Sequence, residues 1–349
     1  MISGAYMVNR DKTIDILRGL AIFTMVAANM AGPVLAEPHP FWFRLYGSFA
    51  APLFILISGM MVALTTQTKG HDFNYFLTRG LLIMAVGALI DMLIWKIYPF
   101  TTVDVLYLIG ISLPLAYLFQ RLNSLFQWLI VISIFLLTPL LQNIFGYADY
   151  PTEFFFPSGE LTIVIENQTN IINHWLTDGW FPIFPWLGFS LLGGILANLR
   201  LKYKTFGGTF IFLIGIFTLI FGIIIWDFYP VNFLIRAGYS EVFYPPEPGY
   251  IISAIGLIVL LFFIFDHKPS VIIYDPLQAL GESALFMYIL HLSLIEYVIV
   301  PVWSKVNFQT FLGIYISLSL LLILTAYILR FCKAKWKNHS FISRFLIGN

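Results

Sequence analysis

Asn29 lies at the end of a hydrophobic run, ILRGLAIFTMVAANM, and ten residues later His39 stands between Pro38 and Pro40, ahead of a second run, FAAPLFILISGMMVAL. A free imidazole titrates near neutrality and serves as base, acid or nucleophile. Prolines on both sides fix the backbone, so this ring is aimed. An amide beside it can orient an imidazole or donate to a developing oxyanion. Asp15 and Arg18 sit three residues apart at the other end of the same run and share a helical face. That face continues through Ile22 and Met25 to Asn29, and the 11 residues from Arg18 to Asn29 span roughly 16 Å. A second polar group falls in LGESALFMYILHLSLIE, residues 280–296, where Tyr288 precedes His291 by one turn and Glu282, nine residues before His291, lies about 180° around the helix from it. Plainer alternatives stay open: an interfacial ion pair for Asp15 and Arg18, an interhelical hydrogen bond for Asn29, a surface imidazole for His39, and a packing contact for His291. No metal is expected. Cys332 is the only cysteine, which excludes an intramolecular disulfide and Cys-based clusters. No HExxH, GxSxG or Gly-rich phosphate loop occurs.

The elements that must position these residues are membrane helices. The chain of 349 residues is 59% hydrophobic and only 11% charged. Soluble domains carry about 25% charged residues. A bilayer core takes roughly 20 apolar residues per helix, and ten stretches qualify: about 14–31, 46–66, 78–96, 104–120, 125–145, 181–198, 207–226, 249–265, 278–299 and 309–331. The first lacks a small-residue cleavage site and reads as a permanent span. The expected fold is an all-α membrane bundle of about ten spans, one domain over residues 1–349. With the N-terminus in the cytoplasm, 15 of the 19 Lys and Arg fall on the inner side, and Arg44, Lys96, Arg236 and Lys305 on the outer. The positive-inside rule then puts both termini in the cytoplasm. The outer side receives two long segments, 147–180 and about 227–248. The first carries Asp149, Glu153, Glu160, Glu166 and Asp178 and no Lys or Arg, and its ELTIVIE portion alternates like a short strand. Long outer loops over a bundle suggest a cap on a site that opens outward. The basic tail KAKWKNHSFISR reads as a positive-inside anchor.

Taken together, TIDILRGLAIFTMVAANM (13–30), HPFWFRLYGSFAAPLFILISG (39–59), FPIFPWLGFSLLGGIL (181–196) and LGESALFMYILH (280–291) resemble the transmembrane acyltransferase family of heparan-α-glucosaminide N-acetyltransferase, including its shorter bacterial relatives. DVLYLIGISLPLAYL (104–118) is similar to a further helix of that family. The resemblance implies an acyltransferase-type bundle in which an acetyl group from cytoplasmic acetyl-CoA passes to an acceptor across the membrane. It implies His39 as the catalytic histidine and Asn29 as its neighbouring asparagine. Two spots depart from the family pattern: Pro40 follows the histidine, and Ser48-Phe-Ala-Ala opens the next helix where an Asp is common.

On that reading the substrate is a sugar amine or hydroxyl of an extracytoplasmic glycan, with acetyl-CoA as cosubstrate. Arg18, Arg79 and Lys268 are the expected phosphate-holding residues. Asp15, Glu282, Tyr288 and His291 form a substrate-binding or structural polar network. The acidic 147–180 segment disfavours a polyanionic acceptor. The bilayer and the glycan are the expected partners, a homo-oligomer is compatible with such a bundle, and no nucleic acid is expected. The expected location is the cell membrane. A secondary transporter or lipid or glycan flippase is the competing class, though no repeat relates the two halves. A non-catalytic membrane sensor is a further competitor.

Overall fold

The computed structural model describes residues 11–148, 153–160, 169–229, 239–335 and 345–348. Helices α1 (Lys12–Val34), α2 (Phe41–Ser48), α3 (Ala50–Lys69) and α4 (Phe73–Ile90) come first, and α4 runs on into a π-helical turn, Asp91–Trp95. They are followed by α5 (Val105–Phe119), α6 (Ser124–Phe145), the single turn α7 (Ile171–Asn173), α8 (Ile183–Tyr203), α9 (Thr209–Phe228) and α10 (Pro248–His267). The chain ends with α11 (Asp275–Glu282), α12 (Ala284–Leu294) and α13 (Phe308–Lys335). The ELTIVIE stretch lies outside the described residues, apart from Glu160.

The protein is an all-α, multi-pass membrane bundle. All ten stretches picked out by hydropathy are helical. Among the described residues, however, eight helices are long and apolar enough to cross a bilayer, or nine if one bent pair counts as a span. Two stretches depart from the simple expectation. The 104–120 stretch is only 15 helical residues, because Asp104 caps the Leu106 amide and starts the helix there. The 278–299 stretch is not one rod: residues up to Glu282 belong to α11, and the chain turns by 82° before α12. Ser283 breaks the helix with φ −129° and ψ 39°.

The chain marks its own helix ends. Asp11, Asp72 and Asn123 accept amide hydrogens at the starts of α1, α4 and α6, as short polar side chains do at N-caps. Phe184 lies off the helical region, as expected for a residue before proline. The inner helices are α1, α3 and α8, each largely buried, while α6, α9 and α13 turn most of their apolar surface outward. In α9 the buried residues Gly215, Gly222 and Trp226 follow one stripe against α10, where a Cβ on Gly222 would stand 2.4 Å from the Ser253 amide. Small residues that let backbones approach drive helix pairing in lipid.

The two ends of the bundle are fastened differently. At the end where α1 begins, Arg200 bonds both Asp11 and Asp266, joining α1, α8 and α10. Arg330 grips Asp275 and Glu282, holding α13 to α11. At the far end the α1–α2 connection pairs with the approach to α13 through a bridge between Leu35 and Val306.

Candidate active site

The Asp-x-x-Arg-Gly motif is where α11 crosses α1. A Cβ on Gly19 would stand 1.7 Å from the Leu277 carbonyl oxygen, and one on Gly281 would stand 1.9 Å from the carbonyl oxygen of Asp15. Only glycines allow this contact. Arg18 donates to Asp15 at 3.3 Å and to the Gly281 carbonyl at 3.3 Å. The motif therefore fixes the bent pair on α1 and leaves a half-buried guanidinium at this end of the bundle.

The same helix carries Asn29 about three turns further on. Its side-chain nitrogen lies 2.9 Å from Nε2 of His291, which is fully buried on α12. The other ring nitrogen of His291 lies 3.0 Å from the Met287 carbonyl. A carbonyl can only accept, so Nδ1 carries the hydrogen; in the neutral ring Nε2 is then an acceptor, and the Asn29 amide donates to it. Asn29 thus pairs with an imidazole 262 positions away. His39 has a different partner: its Nε2 lies 3.2 Å from the Leu35 carbonyl. That bond requires hydrogen on Nε2 and leaves Nδ1 with the lone pair that a general base needs.

A cavity of about 290 Å³ opens at the far end of the bundle, with Met25, Asn29, Gly32 and Pro33 of α1 along one side. Small-molecule pockets begin at roughly 300 Å³. Asp104 and Tyr288 form another part of the wall, and Trp95, Trp180 and Tyr239 a third. His39 is not among the lining residues; it follows Gly32 and Pro33 on the α1–α2 connection. Residues 239–244, from the second long loop, close one flank. They are pinned to α2 by Arg44 Nε donating to the Ser240 carbonyl at 2.9 Å and by the Val242 amide donating to the Ser48 hydroxyl at 2.9 Å. Burial among these groups pushes Glu241 up to about 7.

The remaining expected residues are spread out. Tyr288 packs edge-on to His291, with ring centroids 5.4 Å apart, and its hydroxyl donates to Asp104. Glu282 belongs to the Arg330 cluster and shares no helix with His291. Arg79 lies over the Phe345 ring at 5.7 Å, and Lys268 follows α10, exposed. Sequence reasoning missed Asp104, which reads simply as the head of an apolar helix. It also missed the fully buried pair in which His174 Nδ1 donates to Asp178 at 2.8 Å; the i, i+4 spacing was the available signal. The Ala148 amide also donates to Asp178, so this pair ties the turn before α8 to the end of α6.

The catalytic-domain model of heparan-alpha-glucosaminide N-acetyltransferase matches residues 10–220. The chain belongs to that family. The match takes in Asp15, Arg18, Asn29, His39, Arg79 and Asp104, whereas Lys268, Glu282, Tyr288 and His291 lie beyond it. No curated protein matches the chain. The family is one of membrane acetyltransferases, and the Asn29 cavity is the candidate site. Among the described residues, no group of three or more His, Cys, Asp or Glu is placed to hold a metal ion.

Proposed function

We propose that this protein takes an acetyl group from acetyl-CoA at the cytoplasmic face and transfers it to a sugar amine or hydroxyl on the other side of the membrane. The observation that carries the reading is the placement of Asn29. It lines a cavity at one end of α1, while Arg18 of the same helix stands at the other end. The Arg18–Asn29 separation of roughly 16 Å is comparable to the pantetheine arm of CoA. Arg18, Arg79 and Lys268 hold the CoA phosphates at the basic mouth, and the acceptor enters the cavity.

His39, through the lone pair on Nδ1, accepts the acceptor's proton or attacks the thioester carbonyl to carry the acetyl group transiently. Asn29, which lines the cavity and is held by His291, orients the reacting groups or stabilises the tetrahedral oxyanion. Both termini lie in the cytoplasm on this reading, with the basic residues where a polyphosphate cosubstrate arrives.

The test is purified full-length protein with labelled acetyl-CoA and a panel of amino sugars and neutral sugars, following CoA release and product mass together. The expected result is acetylated sugar in step with free CoA, and a loss of about 10²–10⁴-fold for His39→Ala. Failure of the wild-type protein to release CoA with any acceptor rejects acyl transfer. A His39→Ala variant within tenfold of wild type removes His39 from the mechanism.

A further inference from the structure

Asp104 is on the cavity wall yet has no part in the scheme above. It is 3% exposed. One oxygen accepts the Leu106 amide at 3.0 Å, capping α5. The Tyr288 hydroxyl donates across both oxygens, at 3.2 and 3.3 Å. Every one of these partners is neutral, and among the described residues no cation pairs with it. Its ionisable neighbours are carboxyl groups too: Asp91 lies close enough to interact, and Glu153 and Glu241 line the same cavity. Among the described residues that line the cavity, none is Lys, Arg or His.

A cap does not require this charge. Asn and Ser cap helices as well as Asp does, and the hydroxyl of Tyr288 would be satisfied by an amide oxygen. A buried carboxylate without a counter-charge is expensive. What distinguishes Asp104 from a mere cap is that it lines the cavity, where a ligand can supply a positive charge. Trp95 and Trp180 also line the cavity, with ring centroids 5.8 Å apart, and aromatic faces also favour a cation.

We propose that Asp104 receives the ammonium group of the acceptor, binding it as counter-ion and taking its proton before attack. The inference rests on the acyl-transfer reading above for its second half only. One ammonium N–H breaks and an Asp104 O–H forms. The freed nitrogen lone pair attacks the acetyl carbonyl, a C–N bond forms, and the C–S bond breaks with its electron pair leaving on sulfur. A second nitrogen proton goes to the thiolate, through His39. The products are the amide, free CoA thiol and a proton on Asp104. An uncharged hydroxyl can donate a hydrogen bond here but brings no counter-charge, so Asp104 makes the site favour amines.

The experiment uses full-length protein in lipid nanodiscs, with glucosamine and its uncharged counterpart glucose as probes. Binding of each is measured by calorimetry, and acetyl transfer by product mass. Wild type is expected to prefer glucosamine at least tenfold. Asp104→Asn keeps the cap and the volume but is expected to lose that preference and to transfer acetyl to glucosamine about 10²-fold more slowly. Asp104→Glu is expected to restore part of the preference. A folded Asp104→Asn variant that keeps the wild-type preference overturns the proposal. So does a wild-type protein that binds the two sugars equally, which holds even if the variant fails to fold. Wild type that prefers glucosamine through Asp104 yet releases no CoA rejects acyl transfer and leaves the ammonium site standing.

Discussion

His291 is expected to act through Asn29, and three substitutions separate that role from simple packing. Its Nε2 accepts the Asn29 amide at 2.9 Å, while its Nδ1 donates to Met287 at 3.0 Å. Glutamine places a carbonyl oxygen near the Nε2 position; asparagine has a shorter reach and can replace only the Nδ1 contact; phenylalanine keeps the ring and removes both. Leaving a polar group in the protein interior without its partner costs about 1–3 kcal/mol. With a factor of ten for each ~1.4 kcal/mol, His291→Asn and His291→Phe should lower kcat/KM for acetyl transfer roughly 5- to 150-fold. His291→Gln should stay within about tenfold of wild type. Thermal melting of each variant in nanodiscs shows whether the loss is one of folding, and the kcat/KM ratio of Gln to Asn is the decisive quantity. Equal activity in the Gln and Asn variants, or an unimpaired Phe variant, would refute a positioning role for the Nε2 acceptor.

Other consequences follow from the same contacts. Gly19→Ala puts a Cβ 1.7 Å from a backbone oxygen where ordinary contact begins near 3.4 Å, so α11 must move; destabilisation of about 1–3 kcal/mol or more should appear as a lower midpoint of unfolding, and an unchanged midpoint would mean that α1 and α11 are not packed this way. Arg200→Leu strips both Asp11 and Asp266 of their shared partner and should cost about 3–5 kcal/mol, with Asp266→Asn in the same background recovering part of it. Burial lifts Glu241 from 4.5 to about 7, so the folded state holds a proton that the unfolded state has lost. Its contribution should therefore favour folding below about pH 4.5 and fade as pH rises towards 7; Glu241→Gln should flatten that part of a stability-against-pH curve, and an identical curve would remove the effect.

Much of the frame was legible because hydropathy and caps are local. The stripe through Asp15, Arg18 and Asn29 follows from helical spacing alone, and it is the stripe that α1 presents to α11 and to the cavity. The break at Ser283 was not legible. LGESALFMYILH has no proline to mark a break, and what bends it is tertiary: Gly281 seated on Asp15, and Arg330 holding Glu282. The partner of Asn29 was hidden for the same reason. Proximity along the chain favoured His39, but the packing of α12 against α1 presents His291 instead. Asp104 was passed over because a carboxylate at the head of a helix looks like a cap; only the cavity beside it makes the charge conspicuous.

The central claim is that donor and acceptor meet from opposite sides of the membrane. Sealed vesicles of known orientation, containing the full-length protein and a membrane-impermeant amino-sugar acceptor, test it most directly. Labelled acetyl-CoA supplied only at the face where α1 begins should yield acetylated sugar in the other compartment and free CoA where the donor was added. Product that forms only when both reactants share one compartment would contradict the account and leave a one-sided membrane enzyme.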